Sequence, residues 1–230
     1  MKNLFLSEST YYLKKIEGIM FYNRFLRRIN LTISLIFISV IVFGQKIDTV
    51  LNNGTYKSYF NYTLKEPVYV SYTLYHGGGD CDRSDFNFKN DTKIKMAKQK
   101  DYAHSGYDQG HLANAEDFAY NCEMDEETFR FYNCLPQTPN LNRGIWKVWE
   151  ETIREESQTD SLEIVCGGKF GKKTIGDKVA VPDYCFKIVK SLKSNTILHV
   201  LWFTNKVKNN TVSEIEIDKL WVLLGYKIVI

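Results

Sequence analysis

The chain has 230 residues, of which 44% are hydrophobic, 25% charged and 14% aromatic. This is the composition of a folded domain with one sizeable core, and it excludes disordered and fibrous classes. The net charge of +3 arises in residues 1–44, and the remainder is close to neutral. No broad basic field advertises nucleic acid, so any phosphate contact must come from a local patch or a metal.

Residues 1–44 read as an export signal. Arg24, Arg27 and Arg28 precede the apolar run Leu31–Phe43. That run has the length of a signal h-region and falls short of the roughly 20 residues a membrane-spanning helix needs. Gly44 marks a cleavage point with Gln45 as the new N-terminus, and Met20 would give a conventional start. Cleavage would leave residues 45–230 as one secreted or periplasmic domain. The alternative is an uncleaved membrane anchor.

Residues 45–62 are polar, carry Asn53-Gly54, and predict a lead-in with a turn. Val68–Tyr75 is β-branched, aromatic and alternating, which predicts a strand. Glycines 77–79 break it, and no Gly-Lys-Ser/Thr follows, so the triplet reads as a loop rather than a phosphate cradle. Residues 80–103 are charged and irregular. Met124–Phe129 predicts a short helix, and Phe131–Leu135 a strand that Pro136 and Pro139 stop. Asn140-Leu141-Asn142 opens the most regular helix, running to about Glu156, with Ile145, Trp146, Val148, Trp149 and Ile153 as its apolar positions. Strands follow at 162–166, 184–189 and 196–203, and a last short helix at 217–224. A strand-rich sheet with few helices makes the fold class α+β.

Cys134, Cys166 and Cys185 sit in apolar runs and read as small core residues. Cys81 and Cys122 lie in polar surroundings, where export would permit a bridge between them. None of the five has zinc-site spacing.

Phosphodiester hydrolysis needs a base for water and positive charge at phosphorus and the leaving oxygen. Among four histidines, His76 and His104 lie in loops, and His199 reads as a satisfied core residue within an apolar strand. His111 stands apart, following Tyr107-Asp108-Gln109-Gly110, where Gly110 permits close backbone approach. Asn142 alone suits a helix cap; as a ligand it suits a mostly hydrated hard ion such as Mg²⁺. Glu150 is about 12 Å further along a straight helix, so it would reach back to orient water rather than share the ion.

Three segments then combine: Asp108-Gln109-Gly110-His111, Asn133-Cys134-Leu135-Pro136-Gln137, and Leu141-Asn142 through Trp146 to Glu150. Together they resemble the Asp-Arg-Gly-His, Asn-x-x-Pro-Gln and Leu-Asn-Gln-x-x-Trp-x-x-x-Glu motifs of the DNA/RNA non-specific endonucleases. Val179–Pro182 and Phe186-Lys187 resemble a later core segment, so the likeness runs from about Val68 to the C-terminus. It implies a ββα-metal core within a mixed, mainly antiparallel sheet fold. It implies His111 as general base, Asn142 as ligand of Mg²⁺ or Mn²⁺, and Asn133 and Glu150 as catalytic support. Gln109, Arg143 and Arg154 would meet the phosphate of DNA or RNA, cut without sequence preference. A tendency to form homodimers comes with the resemblance.

One residue departs from the pattern. Gln109 replaces the family's arginine, exchanging a fixed charge and bidentate fork for an amide. That predicts weaker transition-state stabilisation, and it keeps a non-catalytic nucleic-acid or protein-binding module as the alternative. Arg83 is the nearest equivalent, by vicinity, of the family's upstream arginine.

Overall fold

The computed structural model describes residues 45–230, so the export signal or membrane anchor expected in residues 1–44 lies outside the described residues. The chain runs β1 (Thr49–Asn52), β2 (Lys57–Asn61), β3 (Glu66–Leu74), α1 (Gln99–Tyr102), β4 (Asp108–His111), α2 (Cys122–Glu127) and β5 (Cys134–Gln137). It continues through α3 (Lys147–Glu156), β6 (Leu162–Ile175), β7 (Val179–Ser191), β8 (Thr196–Thr204), β9 (Val212–Glu214) and α4 (Ile217–Leu224). Seven strands form one antiparallel sheet in the order β1-β2-β3-β6-β7-β8-β9, and β4 pairs with β5 separately. The fold is α+β.

Alternation along the central strands serves two cores. Val70, Tyr72, Cys166, Cys185, Val189, Leu201 and Phe203 pack toward Leu112, Leu135, Trp146 and Ile153, which belong to the β4–β5–α3 layer. Val68, Val165, Phe186, Ile188 and Val200 pack toward Leu220 and Leu224 of α4. The sheet is therefore a platform that supports β4, β5 and α3 on one face.

Several local expectations change. The polar lead-in is a hairpin, β1–β2, whose loop is tightened by Asn53 Oδ1 accepting from the Thr55 and Tyr56 backbone. It looks polar because alternate residues of this outer strand are exposed. Pro136 does not stop a strand but lies within β5, opposite Gln109. With β4 as its one partner strand, β5 tolerates the missing N–H, and the Pro136 carbonyl accepts from Asn205 Nδ2 at 2.9 Å. β6 and β7 run well past the apolar segments that predicted them, because Gly167, Gly168 and the lysines beyond interrupt alternation without ending the pairing.

Cys134, Cys166 and Cys185 are free and buried, whereas Cys81 and Cys122 form a disulfide. His199 is not a core residue. Its ring sits half-buried between Glu214 Oε1, 2.7 Å from Nδ1, and Glu156 Oε1, 2.9 Å from Nε2.

Candidate active site

In the β4–β5 ladder Gly110 lies opposite Leu135 and His111 opposite Cys134. Gly110 is required by space, since a Cβ there would lie 2.7 Å from Gln137 Cγ and overlap its amide. Immediately after β4 the chain is clamped by Asn133. Its Oδ1 accepts from Ala113 N at 2.9 Å, and its Nδ2 donates to Ala113 O at 2.9 Å and Thr128 O at 2.8 Å.

This clamp fixes the exit of the strand that presents His111. The imidazole packs against Phe88 and Phe129, each with its ring centroid 4.7 Å away. His111 Nε2 is buried and has no hydrogen-bond partner among the described residues. Burial, and after it the Arg83 charge, lowers the ring's pKa from 6.5 to about 3. At neutral pH the imidazole is therefore uncharged.

The helix expected over residues 140–156 is broken. Leu141–Trp146 forms a wide, π-type turn in which Gly144 leaves helical geometry (φ −110°, ψ −116°), and regular α3 starts at Lys147. Wide turns of this kind recur at functional sites. Asn142 lies inside the turn rather than at a cap, and Asp108 ties it to β4. Asn142 Nδ2 donates to Asp108 Oδ2 at 3.1 Å, while Arg143 donates through Nε at 2.8 Å and Nη2 at 2.7 Å. The amide is thereby oriented, leaving its Oδ1 without a hydrogen bond among the described residues. The break also removes the basis for the straight-helix separation of Asn142 and Glu150.

Glu150 and Arg154 are one turn apart on α3 and share a face. Glu150 is buried, with Lys187 Nζ 3.6 Å from its Oε1, and that oxygen has no hydrogen bond among the described residues. Burial raises the Glu150 pKa, opposed first by Lys187 and then by Asn114. Arg154 donates to Asp117 Oδ1 and Asn114 Oδ1, both at 3.0 Å, and Asp117 also accepts from Tyr72 Oη at 2.8 Å.

Arg83 donates to Glu116 and lies 3.8 Å from buried Asp125. The Cys81–Cys122 bridge anchors its segment to the start of α2. The glycines 77–79 form the loop beside this network. Gly79 (φ +156°) packs directly on the Ala119 backbone, where a Cβ could not fit.

One cavity of about 750 Å³ collects His111, Asn142, Arg143, Glu150 and Arg154 on its wall, together with Arg83, Asn114, Glu116, Phe129 and Lys147. Two residues expected at the site are not among its lining. Asn133, expected as catalytic support, spends its amide on the main chain of Ala113 and Thr128, beside the strand that carries His111. Gln109 donates to Gln99 Oε1 at 2.8 Å, outside the cavity. Asp108, Asn114, Asp117 and Lys187 were not expected. A signal existed for Lys187, a lone charge inside the apolar run Cys185–Val189.

The profile of the DNA/RNA non-specific endonucleases matches residues 37–227. The chain belongs to that family. A protein named Nuclease from Nostoc sp. is 34% identical over 168 residues, covering 64% of this chain and 61% of that protein. Mitochondrial endonuclease G of Homo sapiens is 32% identical over 128 residues, covering 48% of this chain and 43% of that protein. The chain thus spans less than two thirds of the length of these relatives. A crystal structure of an EndoG/EndoGI complex shares the fold, with a TM-score of 0.68 at 23% identity over 80% of this chain and 86% of that one. In this member of the non-specific endonucleases, β4, β5 and α3 form the ββα unit.

The donor set fits a hydrated hard cation. Asn142 and Glu150 are oxygen-bearing residues on the cavity wall, and Asn142 Oδ1 has no hydrogen bond among the described residues. No group of three or more His, Cys, Asp or Glu with metal-site geometry occurs among the described residues. An ion held here would keep most of its waters, as Mg²⁺ prefers.

Proposed function

We propose that this protein is an exported, divalent-metal-dependent endonuclease that hydrolyses phosphodiester bonds in DNA and RNA without sequence preference. The observation that carries this reading is the shared cavity. The neutral imidazole of His111, the amide of Asn142, the carboxylate of Glu150 and three arginines belong to residues that line the same space. Family membership supports the same reaction class.

His111 accepts the proton of the attacking water as it adds to phosphorus. Its low pKa keeps it in the base form, and an arriving anionic phosphate counteracts Arg83 and strengthens it as a base. Arg143, 71% exposed at the rim, and Arg154, held by Asp117 and Asn114, meet the non-bridging oxygens. Asn142, through Oδ1, would hold Mg²⁺ or Mn²⁺, with Glu150 supporting it from the same cavity wall. When bound, the cation supplies positive charge at the phosphate and the departing oxygen. Contacts to the backbone rather than base edges give cleavage without sequence preference.

The Cys81–Cys122 bridge supports export, because disulfides persist in oxidising compartments. A secreted or periplasmic mature form begins near Gln45, and N-terminal sequencing that finds residues 1–44 attached would favour the membrane-anchored form. Homodimer formation is proposed from the resemblance and is read by light scattering.

The deciding experiment is nicking of supercoiled plasmid by the purified chain. Cleavage with Mg²⁺, its loss in EDTA, and a fall of at least about 100-fold in His111→Ala are expected, from the usual contribution of a general base. Absent cleavage would overturn the enzyme reading in favour of a binding module, and EDTA-resistant cleavage would overturn the metal dependence.

A further inference from the structure

We propose that Lys187, reaching out from the middle of the sheet, is the positioning residue that holds Glu150 at the cavity. The proposal rests on the endonuclease reading above. Phe186 and Ile188 face the α4 core, so β7 alternation turns Lys187 toward the opposite face, with Cys185 and Val189. There its side chain is only 1% exposed. A lysine is almost never buried to that extent unless it is paired.

Its Nζ lies 3.6 Å from Glu150 Oε1 and 4.0 Å from the centroid of the Trp146 ring. The carboxylate distance is too long for a hydrogen bond. Lys187 therefore attracts the Glu150 charge without occupying the lone pairs of Oε1.

Lys187 forms the ion pair with Glu150, while Arg154 forms the one with Asp117. Asp117 is the second buried carboxylate here, but it already accepts from Arg154 Nε and Tyr72 Oη. Glu150 and Asp117 thus face two cations, and Arg154 is taken by Asp117. Trp146 adds a second connection, because it ends the wide turn that carries Asn142 and precedes α3, which carries Glu150. Lys187 touches that joint and the carboxylate together. Removing its charge would leave buried Glu150 without the cation that lies 3.6 Å from it, and such a group either neutralises or moves.

The test is a double-mutant cycle read in two ways. Lys187→Met keeps the long stem and removes the charge, and should lower kcat by about 10- to 100-fold with little change in KM. Adding it to Glu150→Gln should cost nothing further, because the partner is already gone.

The second readout is thermal unfolding in EDTA, independent of cleavage. Lys187→Met alone should lower Tm, and the Lys187→Met/Glu150→Gln pair should recover it, since neither buried charge remains. Multiplying kcat losses, or a double variant less stable than both singles, would overturn the pairing. If the wild type fails to cleave, the endonuclease reading falls, while the unfolding cycle still decides whether Lys187 holds Glu150.

Discussion

Removing Asp108 tests whether orientation of one amide sets the affinity of the site for the proposed cation. Asp108 accepts from Asn142 Nδ2 at 3.1 Å and holds Arg143 through two further bonds, with its side chain 16% exposed. In Asp108→Ala the Asn142 amide loses the acceptor that distinguishes its oxygen from its nitrogen. A hydrogen bond to a charged acceptor contributes ~1.5–3 kcal/mol. At 1.4 kcal/mol per decade that corresponds to roughly 10- to 100-fold, the range seen when outer partners of a metal ligand are removed.

The assay is plasmid nicking across a Mg²⁺ titration. The midpoint should move to higher Mg²⁺ by about that factor, with the rate at saturation much less affected. Asp108→Asn should fall between wild type and Asp108→Ala, because its carbonyl can still accept from Asn142. An unchanged Mg²⁺ midpoint in Asp108→Ala would refute the orientation argument. A uniform rate loss at every Mg²⁺ concentration would assign Asp108 another role.

Two further outcomes separate structure from sequence expectation. Burial of His199 works against its charge, but Glu214 and Glu156 outweigh it and raise its pKa above 6.5. The ion pairs therefore stabilise the fold fully below about pH 6.5 and fade as pH rises through the raised folded value. Melting of His199→Gln against wild type should show its largest deficit in mildly acidic buffer and a shrinking one toward alkaline pH; equal deficits across that range would contradict the pairing. Gln109→Arg should leave kcat within about two-fold, as expected for a surface change away from the site, because Gln109 points to Gln99 and not into the cavity. A large rate gain would mean that an arginine at this position reaches the phosphate after all.

The central strands were legible because alternation is a local property: β3 and β8 begin and end within two residues of their expected limits. The hairpin β1–β2 was missed because its outer strand exposes every second residue, and Pro136 misled because tolerance of proline depends on which edge of a strand is free. The helix over residues 140–156 looked continuous, since apolar spacing persists through Gly144 while the backbone does not. His199 looked like core from its apolar neighbours, yet carboxylates from Glu156 and Glu214, distant in sequence, decide its environment.

The sequence by itself determined the chemistry on offer: an imidazole, an amide and a carboxylate at a spacing that marks the family. It also determined the two-faced strands on which that chemistry could be mounted. Tertiary structure alone decided which groups converge and what each is spent on. Asn133 is consumed by the backbone, Gln109 turns outward, Arg83 arrives from a loop, and Lys187 comes through the sheet to Glu150. The physical reason is that hydrophobic periodicity records burial along one segment. The partner of a buried charge or an unsatisfied amide is chosen by contacts between segments far apart in the chain.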